Sequence, residues 1–113
     1  MPLYMSPEQT RGTHTDTRSD LYSLGVLLYE MFSGINPFEA DSAHAVYARQ
    51  LNFTPPPLSE AVPGISQDLS DIVMRLLEKD PGQRFQTVRE VSARLRPLRE
   101  ITEVLSVRLC LDQ

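Results

Sequence analysis

The 113-residue chain contains no tryptophan, one cysteine (Cys110) and one lysine (Lys79), and it has no long apolar run. A single cysteine excludes an internal disulfide framework and suits a reducing compartment. Cys110 begins a four-residue C-terminus with the outline of a prenylation box, but Asp112 stands where an aliphatic residue is needed. Without about twenty consecutive apolar residues there is no candidate membrane helix. Nor does a basic-then-apolar leader open the chain, so a soluble, cytoplasmic protein is expected. The five glycines (Gly12, Gly25, Gly34, Gly64, Gly82) never approach the G-x-G-x-x-G spacing of a phosphate-cradling loop. His14 and His44 lie in unrelated segments, with nothing nearby to suggest metal ligation. A net charge of −4 argues against a nucleic-acid partner. No stretch alternates as a strand should, and no internal repeat is present.

What remains is ordinary globular composition, 41% apolar and 23% charged, in a length suited to one domain. Ten of the eleven basic residues are arginine, and Arg84, Arg89, Arg94, Arg96 and Arg99 gather toward the C-terminus, most simply as a solvated helix face. The organising stretch is Ser19–Gly34. Leu21, Tyr22, Leu24, Val26, Leu27, Leu28, Tyr29, Met31 and Phe32 cover nearly the whole circumference of a helix wound at 3.6 residues per turn. A helix apolar all round is expected to be buried on all sides. Ser19 is the expected N-cap, Asp20 suits the positive end of the helix dipole, and Gly34 is the expected left-handed stop.

Around it the punctuation gives further helices. Ser6, Pro7 and Glu8 form a helix start that Gly12 can end. Residues 35–40 read as a turn that buries Phe38, and Asp41 caps a helix running to about Leu51. Residues 53–64, with Pro55, Pro56, Pro57 and Pro63, are expected to be non-helical. Ser66 caps an amphipathic helix whose Leu69, Ile72, Val73, Leu76 and Leu77 share one face, with Lys79 in its last turn and Pro81 beyond it. Thr87 and Glu90 make a capping box for a helix turning Val88, Val91 and Leu95 inward. A weaker helical pattern follows Pro97 through Leu98, Ile101, Val104 and Leu105.

Four motifs in order then carry a family likeness. They are Tyr4–Met5–Ser6–Pro7–Glu8–Gln9, Asp16–Thr17–Arg18–Ser19–Asp20–Leu21–Tyr22–Ser23–Leu24–Gly25, Pro37–Phe38, and Leu77–Glu78–Lys79–Asp80–Pro81 followed by Arg84. Together they resemble the C-terminal lobe of a protein serine/threonine kinase, most similar to the bacterial branch. The resemblance implies an all-α fold, about five to six helices around a buried central helix over residues 19–33. It also implies a partial kinase domain over residues 1–96 and a C-terminal extension over residues 97–113. Ser6–Pro7–Glu8 stands where the family has Ala-Pro-Glu. The resemblance further implies that Glu8 pairs with Arg84, that Asp20 anchors the catalytic loop, and that Pro2, Leu3 and Tyr4 receive the residue after the phosphorylated serine or threonine. The helix from Asp41 to Leu51 corresponds to one that docks substrates or regulators.

The family's phosphate loop, strand lysine, His-Arg-Asp loop and Asp-Phe-Gly metal site have no counterpart in the 113 residues, and Met1 replaces a usual threonine. No catalytic residue and no metal ligand is therefore assigned. ATP and Mg²⁺ belong to the complete family domain, and the chain alone is expected to bind neither. Three readings follow: the substrate-docking part of a serine/threonine kinase, inactive alone; a kinase-derived interaction module without chemistry; or an unrelated helical bundle. The expected partners are a protein substrate, the rest of a kinase, or a second copy met through exposed apolar surface.

Overall fold

The computed structural model describes residues 2–104, and among them every regular element is helical. Six α-helices follow in order, α1 (Pro7–Arg11), α2 (Thr17–Ser33), α3 (Ala43–Asn52), α4 (Leu58–Ala61), α5 (Gln67–Leu76) and α6 (Val88–Leu95). Short 3₁₀ turns occupy Pro2–Tyr4 and Pro81–Gln83. Residues 99–104 are again helical; Leu105 and Cys110 lie outside the described residues.

The first turn of α1 is fixed by a reciprocal cap. The Ser6 hydroxyl accepts the Gln9 N–H at 3.2 Å and the Gln9 side chain accepts the Ser6 N–H at 2.8 Å, satisfying two N–H groups that a helix start otherwise leaves bare. Gly12 ends the helix in the left-handed conformation, φ 71°.

Helix α2 begins earlier than expected. Asp16, with extended backbone, accepts the Arg18 N–H at 2.8 Å and is the N-cap, so Ser19 is not. Asp16 and Ser19 are both capping residues, but the Ser19 hydroxyl is committed elsewhere, donating to Glu8 at 2.6 Å. Gly34 does stop the helix, at φ 80°. Leu21, Tyr22, Gly25, Val26, Leu28 and Tyr29 of α2 are buried. The helix is not covered all round, however: Leu27 is 51% and Met31 47% exposed, and Ile35 just beyond is more exposed still. Circumferential apolarity requires cover on every side, and on this side residues 2–104 cover only about half of each side chain, with Glu100, Glu103 and Val104 bordering Met31.

Against α2 lies α5. Ser66 caps it through the Leu69 N–H, and Leu69, Ile72, Val73, Leu76 and Leu77 all reach the core. The helix ends at Leu76, so Lys79 is not in its last turn but in the following loop, turned inward over the Phe38 ring at 4.4 Å. Phe38 stacks with Tyr22 (centroids 6.0 Å apart) and meets Phe53 edge-on at 6.3 Å.

Three further expectations shift. Ser42, not Asp41, caps α3, because its hydroxyl reaches the Ala45 N–H at 3.1 Å from an extended backbone. The proline-rich stretch does contain a helix, α4. The triple proline ends at the cap position, where a missing N–H costs little, and leaves Leu58 free to turn into the core. In α6 the Thr87 hydroxyl accepts the Glu90 N–H, but the Glu90 carboxylate takes the Gln86 N–H rather than the cap's own. Val91 is buried and Leu95 packs partly against the core, whereas Val88, on the same face but in the first turn, is 57% exposed.

Candidate functional site

Arg84 is fully buried, and every N–H of its guanidinium has an acceptor. Two go to the Glu8 carboxylate at 2.7 and 2.8 Å. The other three go to the carbonyls of Glu78, Lys79 and Arg18 at 2.7, 3.2 and 3.0 Å. Glu8 also accepts the Ser19 hydroxyl. Burial pushes the Glu8 carboxyl up, but the hydrogen bonds from Arg84 and Ser19 outweigh it and hold the group at about 2. The knot joins α1, the start of α2 and the loop after α5, so one side chain fixes three segments far apart in sequence.

Next to it the Pro2–Tyr4 turn is held almost entirely by side chains. Its own backbone contributes a Met5 N–H to Pro2 carbonyl bond of 3.3 Å. From α2, the Ser23 hydroxyl donates to the Tyr4 carbonyl at 2.5 Å, and the Tyr4 hydroxyl donates to the Glu30 carboxylate, which raises the phenol's pKa. From α3, the fully buried Gln50 donates to the carbonyls of Pro2 and Leu3 at 3.1 and 3.0 Å.

Asp20 sits one turn into α2, exposed, and among the described residues its carboxylate makes no hydrogen bond or ion pair. It lines an open hollow of about 430 Å³ with Tyr4, Ser23, Leu24 and Leu27. An uncompensated carboxylate, the holding turn for Pro2–Tyr4 and a bare apolar stripe thus share one face of α2. His14 and His44 join no group able to hold a metal among the described residues, and no helix there is long and apolar enough to cross a membrane.

The structure brings Glu8 and Arg84 into one pair and sets Pro2, Leu3, Tyr4 and Asp20 along one side of α2. Sequence reasoning missed Ser19, Ser23, Glu30 and Gln50 as the residues that hold these positions. Gln50 had a readable signal: it lies one helical turn after Val46, on the face of α3 that is otherwise apolar.

Residues 1–94 match the model of the protein kinase domain. The chain belongs to that family. It is 46% identical over 92 residues to the serine/threonine-protein kinase PknB of Mycobacterium leprae, covering 81% of this chain and 15% of that protein. A probable serine/threonine-protein kinase of Clostridium perfringens is 41% identical over 97 residues, covering 86% and 14%. Among solved structures, the autoinhibited serine kinase domain of the giant muscle protein titin superposes with a TM-score of 0.74 at 34% identity, over 82% of this chain and 29% of that one. The twitchin kinase region of C. elegans gives 0.76 at 27% identity, over 82% and 16%. The helical architecture is thus that of a kinase C-lobe, and the chain spans about one-seventh of the curated kinases it matches.

Proposed function

We propose that this chain is the substrate-docking part of a serine/threonine protein kinase domain and that it transfers no phosphate alone. Phosphoryl transfer needs held phosphates, a neutralising metal and an orienting base, and the sequence offers residues for none of the three. ATP and Mg²⁺ belong, in this reading, to the remainder of the domain. What the chain supplies is a rigid seat. Pro2, Leu3 and Tyr4 receive the protein substrate beside the reacting hydroxyl, and the Glu8–Arg84 knot fixes the end of the segment that carries them. Asp20 receives backbone N–H groups of the catalytic loop.

The observation that carries the reading is the hollow bounded by Tyr4, Asp20 and Leu27. A free carboxylate beside exposed leucine suits a loop that brings N–H donors and apolar side chains together, which is what a catalytic loop lying on α2 would bring. The rest of a kinase domain is therefore the proposed partner of this face, and the protein substrate that of the Pro2–Tyr4 segment.

The test mixes the 113-residue chain with ATP, Mg²⁺ and a basic substrate protein, following transfer by radiolabel and nucleotide binding by calorimetry. Neither is expected. Transfer is expected when the chain is fused behind the ATP-binding and catalytic-loop part of the Mycobacterium leprae relative, and it should fall at least tenfold on Asp20→Ala. Transfer by the unfused chain would overturn the assignment. A fusion that folds but stays inactive would favour the non-catalytic interaction module.

A further inference from the structure

Lys79, Tyr22 and Gln50 form a chain of hydrogen bonds through the interior that the kinase assignment leaves unused. The Lys79 ammonium donates to the Tyr22 hydroxyl at 3.0 Å, and that hydroxyl donates to the Gln50 side-chain oxygen at 2.7 Å. The Gln50 side-chain nitrogen then donates to the carbonyls of Pro2 and Leu3. Tyr22 and Gln50 are both completely buried. The direction of the chain is forced from both ends. An ammonium can only donate, so the tyrosine must pass its own proton on to Gln50. Two backbone carbonyls can only accept, so the amide nitrogen must face them. With both ends fixed, the Gln50 carboxamide has a single orientation: both of its N–H donors go to the turn and its oxygen accepts from Tyr22.

The Pro2–Tyr4 turn has little else to hold it in register. It is three residues long, buries no side chain fully, and closes through one backbone hydrogen bond at the long end of the range. Ser23 and Glu30 tie its last residue to α2. Gln50 alone, among the described residues, ties its first two to α3. We propose that Gln50 is a positioning residue that fixes the Pro2–Leu3 backbone to α3 and so sets where a substrate chain would lie. This rests on the reading of Pro2–Tyr4 as the substrate-receiving segment, and it adds the residue that holds that segment in place.

The test uses amide hydrogen exchange of the 113-residue chain by NMR, expressed as protection factors. Gln50→Met removes both ends of the interaction at similar volume. Protection at Met5, whose N–H closes the turn onto the Pro2 carbonyl, is expected to fall roughly tenfold, the scale of one or two lost hydrogen bonds, while residues 67–76 of α5 stay unchanged. Gln50→Glu separates positioning from packing. Ionised, it offers oxygen to two carbonyls and should release the turn; protonated, it again has one donor and one acceptor. The group facing it is the Tyr22 hydroxyl from α2, with Lys79 one bond further; the Arg84 guanidinium lies 4.8 Å from the Tyr22 ring centre, and Arg84, Arg11 and Arg49 act on Lys79 through space. Protection in this variant should therefore recover as pH is lowered from 8 toward 4, and in Gln50→Met it should not.

Unchanged protection of the Met5 amide in Gln50→Met, or the same loss at every pH in Gln50→Glu, would overturn the proposal. If Gln50→Met fails to fold, Tyr22→Phe serves instead: it removes the hydroxyl that holds the amide oxygen, leaves Gln50 anchored at one end only, and should lower protection at Met5 with residues 67–76 unchanged. A separate arm adds a basic substrate protein to the unaltered chain. Loosening by Gln50→Met without any shift at residues 2–5 on substrate addition would keep the positioning role and sink the substrate reading.

Discussion

Arg84 is the single residue on which most of the architecture converges. A guanidinium taken wholly out of water loses its hydration, and here five protein acceptors replace it. The pair need not add net stability over a well-packed apolar substitute, but either half alone is a buried charge with no partner. Arg84→Met is expected to cost roughly 3–5 kcal/mol in urea unfolding, and Glu8→Leu combined with Arg84→Met markedly less than the sum of the two single changes. Additive losses would mean that the two groups do not act as a unit. Acid gives a second handle. Because Glu8 titrates at about 2 in the fold and near 4.5 when free, its contribution is complete above pH 4.5 and is lost as pH falls through 2. The stability gap between the unaltered chain and Glu8→Gln should therefore be wide at pH 7 and shrink by pH 2.5.

Lys79 behaves in the opposite sense. Burial, reinforced by the nearby Arg84, Arg11 and Arg49, brings its ammonium from 10.5 down to about 8. The unfolded chain then holds more protons between those values, so stability from this group rises as pH climbs from 8 toward 10.5. Above pH 10 the trend is opposed by Tyr22, whose hydroxyl burial raises well beyond its usual value. Urea midpoints at pH 7.5 and 9.5 should show the rise in the unaltered chain and its absence in Lys79→Met; equal slopes in the two would remove Lys79 as the cause.

At the scale of elements, α2 and α5 meet at Gly25. A Cβ built there would stand 2.8 Å from the Leu76 Cβ and 3.1 Å from a Leu77 methyl, closer than packed carbons come. Gly25→Ala should recover about 1 kcal/mol of helix propensity yet lose more to overpacking, for a net destabilisation of roughly 1–2 kcal/mol in urea. A neutral or stabilising result would mean that the two helices part easily. What could be read from sequence at this scale follows from how local each signal is. Ser6, Gly12, Gly34, Ser66 and Thr87 mark helix ends where only one capping residue is in reach, and each does so in the structure. Where two candidates stood close together, as with Asp16 and Ser19 or Asp41 and Ser42, propensity could not choose. Ser19 is withdrawn from capping by Glu8, a partner eleven residues away, which is a tertiary fact. The pairing of Glu8 with Arg84 was likewise reached through family likeness, because the 75 intervening residues carry no periodic trace of it. Gln50 was legible as a polar residue on an apolar face, but its two acceptors were not.

For the whole molecule the consequence lies on the outer side of α2. Leu27 and Met31, one turn apart on α2, are exposed, with Asp20 and the Tyr4 hollow beside Leu27. Apolar surface of this kind gains about 25 cal/mol for each Å² removed from water, so it favours any partner of matching shape. The proposed occupant is the remainder of the kinase domain, and an isolated chain is expected to bind a hydrophobic dye and to self-associate at high concentration. Leu27→Gln with Met31→Gln should abolish both, as read by dye fluorescence and sedimentation. Both side chains are about half exposed and lose only part of their packing, so stability in urea should fall by no more than about 1 kcal/mol. In the fused kinase the same pair of changes faces a covered stripe and should destabilise by several times that amount, since each places an amide where apolar packing is required. Equal effects in the two settings would show that nothing covers this face in the assembled domain. A monodisperse, dye-silent unaltered chain would show that it already covers the face itself.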